Sequence, residues 1–402
     1  MAPLIKVRGF CLVLLFQFIL PSVAFSQSTI SLSDAVLKTL ELNPGVRIQK
    51  QNVIQSAGDL QIATGEFDFI TSLSQTWERE RLPLTLASEA ALATRAAAGT
   101  AESADFVETE ELTYSFGFAK KFRSGITLTP SVSTLNTNTS SDFTPPENRS
   151  DVNLNVVIPL LRNFGEKNSG ANLLAAESTL TASQYLSKFN ISSRVFITAS
   201  SYWSSYAAEK NFEILSDGGA RAQYTFDRVK TRVDAGEADP VELEEAKARL
   251  FAIKSDIRNA RLKAYTTRQT LAVAMGLKPK ELTNAPYAIE TFPEVMDPKS
   301  LKPAVTKIFV DEALKLRGDY LSALQGIITQ KIVTNRSKNQ ILPSLEFETQ
   351  FGYAGLDESN SNSRVFRSLA NQINGLNLLT SLTFEWPVQN NAAKGSYLKN
   401  KS

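Results

Sequence analysis

The run LDESNSN at 356–362 sets acidic, hydroxyl and amide oxygens close together, as a calcium loop does. Such a loop needs a central glycine for its sharp turn and a bidentate glutamate at its twelfth position. Counting from Asp357, the central glycine is missing and the twelfth residue is Ser368. The run is therefore read as a solvated loop. A second group of oxygens, Glu346, Glu348 and Gln350 with the more distant Glu385, alternates with apolar residues. That spacing places all four on the polar face of β-strands, where they would line a water-filled lumen and favour cations. The plainer alternative is that a wet face tolerates any polar residue.

Other chemistry is sparse. There is no histidine, which removes the commonest general base and the commonest neutral metal ligand. The single cysteine, Cys11, lies in an apolar run from Phe10 to Phe25 that follows Lys6 and Arg8 and ends in Ala24-Phe25-Ser26. This is the pattern of a secretory signal peptide over residues 1–26. A chain cleaved there would carry no thiol for a disulfide, a nucleophile or a metal. It would also have equal numbers of basic and acidic residues, 41 each. That balance gives no electrostatic reason to expect nucleic acid. Paired carboxylates doing hydrolysis remain chemically open, yet no pair is placed to recommend it. No catalytic, cofactor or metal residue is expected, and the protein is not read as an enzyme.

The elements that would position these residues are of two kinds. Period-two alternation marks strands: Leu112, Tyr114, Phe116 and Phe118 in one, Val152, Leu154, Val156 and Ile158 in another, and Leu345, Phe347, Phe351 and Tyr353 in a third. The Ala-rich stretch 86–104 and the polar stretch 136–150 read as exposed loops. Helical signals mark the rest. Leu32 to Thr64 forms a helix with Ser31 or Ser33 as cap and a break at Asn43-Pro44. Residues 171–234 contain no proline, and their only interior glycines are Gly218 and Gly219, so the span would reach roughly 95 Å as one helix. At its end Gly236 suits a positive φ, Asp239 a cap and Pro240 a first helical position, with Glu242 placed for a capping box. From there Leu243, Ala246, Leu250, Ile253, Ile257, Ala260, Ala264, Thr267, Leu271 and Ala274 follow a heptad seam that requires a coiled-coil neighbour.

The chain also repeats itself. Leu40, Leu42, Val53 and Ile54 return as Leu314, Leu316, Ile327 and Ile328 at an offset of 274, and IPLLRNFGEKNSG at 158–170 is echoed by EWPVQNNAAKGS at 385–396. The fold class is α+β, with a first repeat over 27–300 and a second over 301–402. Strands with one apolar and one polar face, in a secreted chain, suit a periplasmic sandwich or a membrane barrel. A barrel needs about eight strands or more, and four to six are legible here, so a barrel requires an oligomer. After the leader no apolar run is long enough for a membrane helix, and a mean hydropathy of −0.14 fits either a barrel or a soluble protein.

SLSDAVLKTLELNP, IPLLRNFG, VDAGEADPVELEEAKARL, ILPSLEFETQFGYAG and LTFEWPVQNN, taken in order, resemble the TolC-like outer-membrane efflux proteins over essentially the whole secreted chain. The resemblance implies a homotrimer with a shared β-barrel in outer-membrane lipid and a periplasmic helical tunnel. It implies a passive channel component of a tripartite efflux or type I secretion system, working with a periplasmic adaptor and an inner-membrane pump. Ala235, Gly236 and Glu237 would then be the tunnel tip that meets the adaptor. It also implies a helical hairpin after the second strand pair, which these 402 residues do not include, so the second repeat reads as incomplete. The alternatives are a secreted or periplasmic coiled-coil structural or adhesive protein, and a non-functional truncated efflux protein.

Overall fold

A computed structural model describes residues 28–98, 106–140, 146–294, 303–358, 362–371, 373 and 375–402. The expected signal segment 1–26, with Cys11, lies outside them. In chain order the elements are β1 (Thr29–Ile30), α1 (Leu32–Leu42), α2 (Pro44–Gly65), β2 (Phe69–Pro83), α3 (Leu86–Ala97), β3 (Phe106–Lys121), β4 (Thr127–Thr139), β5 (Glu147–Pro159) and α4 (Glu166–Ser169). Then come α5 (Ala171–Asp234), α6 (Pro240–Met275), β6 (Tyr287–Ala288), α7 (Pro303–Leu316), α8 (Gly318–Asn339), β7 (Ser344–Asp357), β8 (Asn377–Glu385) and α9 (Asn391–Lys401). The fold is α+β. Two compact units emerge, Met1–Val46 with Ser193–Met296 and Arg47–Ser192 with Asp297–Ser402, and they cut across the expected repeat boundary at residue 300.

The first unit is helical. Ser31 caps α1 by accepting from the Asp34 amide at 3.1 Å, and Asn43 breaks the chain in an extended conformation before Pro44 starts α2. Asn43 does two jobs: its Oδ1 accepts from Gly45 N, and its Nδ2 donates to the Ala274 carbonyl near the end of α6. Every expected seam residue of α6 is buried or half-buried, and the other positions from 244 to 266 are exposed. Close packing on that seam accounts for one glycine of the long helix, because a Cβ at Gly219 would lie 2.5 Å from Ile257 Cδ1. A side chain there would have to displace Ile257. The core gathers Ile30, Ala35, Tyr202, Leu271, Ala272, Met275 and Ala285. Tyr202 is wholly buried; its hydroxyl donates to the Ile30 carbonyl and accepts from the amides of Ile289 and Glu290. Those bonds hold the parallel β1–β6 pair beside the helices.

In the second unit the repeat is exact in its helices. α2 and α8 are both 22 residues long, and one offset, 274, relates both their starts and their ends. Each leads into a strand of one six-stranded antiparallel sheet, ordered β2-β3-β4-β5-β7-β8. After these strands the copies diverge. The first repeat has four sheet strands and the second two, so the β3–β4 hairpin is the addition.

Two expected loops are not loops. Leu86–Ala97 is a helix, capped by Thr85 accepting from the Ser88 amide. Its alanines have the highest helix propensity, a signal that a reading by hydrophobic pattern alone passes over. Of the stretch 136–150, the strands take residues up to 139 and from 147, with Asn136 and Asn148 buried and bonded side chain to side chain at 2.8 Å. Cross-strand amide pairing makes these polar residues good strand formers at that site. Residues 141–145 lie outside the described ones.

Candidate functional site

The register of the sheet sorts its side chains into two faces, because successive residues of a strand point to opposite sides. Starting from Phe351, the pairs Leu154–Phe351 and Phe351–Leu378 carry one face across β5, β7 and β8, while Phe116–Val132, Val132–Val152 and Leu73–Phe116 carry it to β2. Leu112, Phe118, Val156, Ile158, Leu345, Phe347, Tyr353, Leu382 and Phe384 share that face by parity. All three apolar series found in the sequence thus lie on one side. On β7 it runs from Leu345 to Tyr353, about nine residues, the length at which a tilted strand crosses hydrocarbon.

Glu346, Glu348, Gln350 and Glu385 lie on the other face, where Glu346 pairs with Thr383 and Ser344 with Glu385. The same face carries Ser72, Ser74, Ser115, Ser131, Ser133, Asn153 and Asn155, with Val157 opposite Glu348 and Leu379 opposite Gln350 as apolar exceptions. Glu348 accepts from Asn155 Nδ2 at 2.9 Å, and the Ser74 and Ser115 hydroxyls bond at 2.7 Å. This is a mostly polar face rather than a focused site.

Beyond the apolar stretch, away from α2 and α8, the first face turns polar. Thr134, Asn136, Asn148, Ser150 and Asp357 are buried there. What covers Ser150 is the segment 362–371, whose Ser368 hydroxyl bonds to that of Ser150 at 2.5 Å. Gly355 permits the contact, since a Cβ would strike the Ser368 carbonyl. The Asp357 carboxylate, the first position of the calcium-like run, accepts from Asn371 Nδ2 at 3.1 Å and lies 3.8 Å from Arg367 Nε. It is therefore a structural acceptor that holds the β7–β8 connection; residues 359–361 of the run lie outside the described ones. Farther along the same face Arg79 and Arg81 both engage Glu108. These pairs escape a reading of the sequence because the partners stand on different strands, β2 and β3, and only the clustering of charges on β2 hints at them.

The candidate tip belongs to the helical unit. Gly236 has φ +76°, and the amides of Gly236 and Glu237 bond back to the Val233 and Arg232 carbonyls, closing α5 in the manner of a glycine C-cap. Ala235, Gly236 and Glu237 are all exposed, with nothing within 4 Å of a Cβ placed at Gly236. Asp239 caps α6 through the Val241 amide at 2.8 Å. The capping box with Glu242 is not made. Arg232, reaching across the turn, lies 3.8 Å from the Glu242 carboxylate and donates to the Glu237 carbonyl.

Among the described residues no group of three or more metal-ligating side chains gathers, and no helix is long and apolar enough to cross a membrane. Residues 125–277 match the model of the outer membrane efflux protein family. Several solved structures share the fold, among them the following three. A membrane protein from Pseudomonas aeruginosa is 14% identical, with 95% of this chain and 72% of that one covered at a TM-score of 0.57. The outer membrane protein VceC from Vibrio cholerae is 13% identical, with 92% and 72% covered at 0.58. The CmeC outer membrane channel of Campylobacter jejuni is 16% identical, with 92% and 66% covered at 0.55. No curated protein sequence matches the chain.

Proposed function

We propose that the chain, whose residues 125–277 match the outer membrane efflux protein family, is a member of that family, and that three copies form a passive export duct whose wall is the six-stranded sheet of each. On that reading it is a channel component of an efflux system that catalyses no reaction, and it sits in the outer membrane. The observation that carries the proposal is the sorting of one sheet into an apolar and a polar face while, among the described residues, both of its edges stay unpaired. An open edge in hydrocarbon leaves N–H and C=O groups without partners, at several kcal/mol each. Copies must therefore close the sheet. A ring of three supplies about eighteen strands, a size at which a barrel encloses water. Glu346, Glu348, Gln350 and Glu385 then line the lumen, and the apolar face meets lipid.

The helical unit is the periplasmic part of the proposal. Its turn at Ala235, Gly236 and Glu237 contacts an adaptor that couples the duct to an inner-membrane pump. Exposure of all three residues, and the open space around Gly236, support a docking tip. The chemistry is diffusion through a wet channel, with no bond made or broken.

The test is to isolate the full-length protein from outer membranes, follow its oligomer by heat-dependent gel mobility, and record its conductance in planar bilayers. A detergent-requiring oligomer with a stable open conductance is expected, along with weaker cation preference after Glu346→Lys and Glu385→Lys. A monomer that extracts without detergent and conducts nothing would sink the proposal. For the tip, a photo-crosslinker at Glu237 should capture a periplasmic adaptor in cells that are actively exporting; consistent failure to do so removes that contact.

A further inference from the structure

The limit of the apolar face, on the side away from α2 and α8, runs obliquely across the sheet. On β7 it is reached at Tyr353, beyond which the same face continues with Gly355 and Asp357; on β2 it is reached at Trp77, beyond which come Arg79 and Arg81. Tyr353, Val152, Val132, Phe116 and Leu73 form one straight row across the ladder. Trp77 lies four residues beyond Leu73, so the limit climbs four residues in the four steps from β7 to β2. One residue per step is about 3.3 Å of rise for about 4.8 Å of spacing. That slope, about 35°, is the tilt of strands in a membrane barrel. A line oblique to the strands is then level in a membrane.

Aromatic rings mark this line, as the girdle of a barrel does. Tyr353 stands on it on β7, Tyr114 beside it on β3 and Trp77 on it on β2. On β4 and β5 it passes Thr134 and Ser150, which lie opposite each other and offer hydroxyls instead. Both are buried, at 2% and 0% exposure, and the segment 362–371 packs against both strands. A latch holds the segment there. The Leu356 amide donates to the Asn371 carbonyl at 3.2 Å, Asn371 Nδ2 donates to Asp357, and the Ser368 and Ser150 hydroxyls bond to each other. Outward the segment presents Phe366, 66% exposed, with its ring 6.3 Å from that of Tyr114. Beside it the Arg367 side chain is 60% exposed.

We infer that the segment 362–371 is a lipid-contacting strap, which sets Phe366 into the outer leaflet at the boundary of acyl chains and headgroups and Arg367 among the headgroups; this rests on the export-duct reading above. A single exposed phenylalanine would carry nothing. Its place on the line, in the gap where β4 and β5 lack an aromatic residue, is what points to lipid. Bare hydroxyls at that depth would face lipid without partners. The strap pairs the Ser150 hydroxyl and turns a ring outward in its place, while a long guanidinium side chain can reach the phosphates from there.

Spin labels test the depth, in the full-length protein reconstituted as its oligomer in phospholipid vesicles. Cys11, in the expected leader, is the only cysteine of the chain, so single sites can be labelled cleanly after cleavage. Each label is read by its collisions with oxygen, which concentrates in lipid, and with a water-soluble nickel chelate. The oxygen-to-nickel ratio at Phe366→Cys is expected to be several-fold above that at Glu358→Cys, an exposed site on the same connection, and below that at Phe347→Cys. Gly355→Ala places a Cβ against the Ser368 carbonyl. Added to the labelled chain, it should drop the ratio at 366 towards that at 358 and leave 347 unchanged. Heat-dependent mobility confirms the oligomer before each reading. If the cysteine at 366 prevents assembly, Arg367→Cys takes its place, with a ratio expected between those at 358 and 347. A strap label as wet as 358 beside a lipid-exposed 347 overturns the strap and leaves the duct reading standing. A ratio at 366 unmoved by Gly355→Ala removes the latch from the inference. If 347 itself is as wet as 358, the duct reading fails and the strap with it.

Discussion

Tyr202, Leu271 and Met275 in the helical unit show none of their surface to water, whereas Leu73, Trp77 and Leu382 in the sheet show more than half of theirs. The first set is held by helices that crowd closely enough for a Cβ at Gly219 to strike Ile257. The second lies flat along a part of one sheet face over which none of the other described residues forms a layer. In water an uncovered apolar face of this extent marks an interaction surface. The two regions follow one rule, removal of apolar area from water, with different agents doing the covering: neighbouring helices in one and, in the proposed duct, lipid and further copies of the chain in the other. The same contrast divides the two repeats. α1 packs against α6 and buries Ala35 and Thr39, while Ile308, Phe309, Val310 and Leu314 on α7, its counterpart, are exposed.

Core deletion should separate the regions most. Leu271→Ala is expected to cost about 2–5 kcal/mol, read by denaturant melting of the helical signal in detergent. Leu73→Ala should change the same melt by less than about 0.5 kcal/mol. Comparable losses would mean that the sheet face is covered by protein after all.

A charge on the apolar face comes next. Phe347→Lys should cost about 2–4 kcal/mol of folding free energy in a bilayer, if its side chain sits near mid-membrane. Glu348→Lys, one residue along and on the wet face, should assemble nearly as well as the native chain. Reconstitution yield into lipid vesicles checks both, and equal impairment would dissolve the distinction between the faces.

Tyr202→Phe sharpens the picture of the helical core without emptying it. The ring still fills its space, but the amides of Ile289 and Glu290 lose their acceptor. A loss of about 2 kcal/mol is expected, with faster hydrogen exchange at those two amides. Gly236→Ala should cost only about 1–2 kcal/mol, the penalty of a left-handed alanine in open space. Export should fall no further than that small destabilisation explains, because the change adds no bulk.

The smallest expected effect is electrostatic. Burial raises the Glu209 carboxyl above its ordinary range, against the pull of Arg268, whose guanidinium is 3.2 Å away. A raised folded-state pKa favours the protonated form in the fold. Its contribution is therefore complete below the unfolded value of about 4.3 and is lost as pH rises through the folded value. Melting temperatures taken between pH 4 and pH 7 should show this decline, and Glu209→Gln should flatten it. A variant with the same pH profile as the native chain would locate the dependence elsewhere.

Much of the fold is legible in the sequence because it rests on local chemistry. Asn43-Pro44, Gly236, Asp239-Pro240 and the heptad positions from Leu243 to Ala274 each act through neighbours within a turn or two of helix. The structure places them where those rules require. The candidate lumen residues are legible for the same reason, since alternation assigns Glu346, Glu348 and Gln350 to one side of β7 before any partner strand is known. The capping box at Asp239 does not form, and the Glu242 carboxylate instead lies near Arg232 of the preceding helix. Asn136 and Asn148 look like loop residues only while polarity is equated with exposure. They are buried beside Ser150, and the segment 362–371 that covers it belongs to the other repeat.

The sequence by itself determined the helices, their breaks and caps, the repeat at an offset of 274, and the two-faced character of the strands, because each depends on a period or a spacing that can be counted along the chain. Only the tertiary structure decided that the added β3–β4 hairpin lies within the sheet, that β5 meets β7, and that β2 and β8 remain as its edges. Strand order depends on hydrogen bonds between backbones far apart in the chain. Every residue offers nearly the same N–H and C=O to such a bond, so composition and periodicity carry no label for the partner.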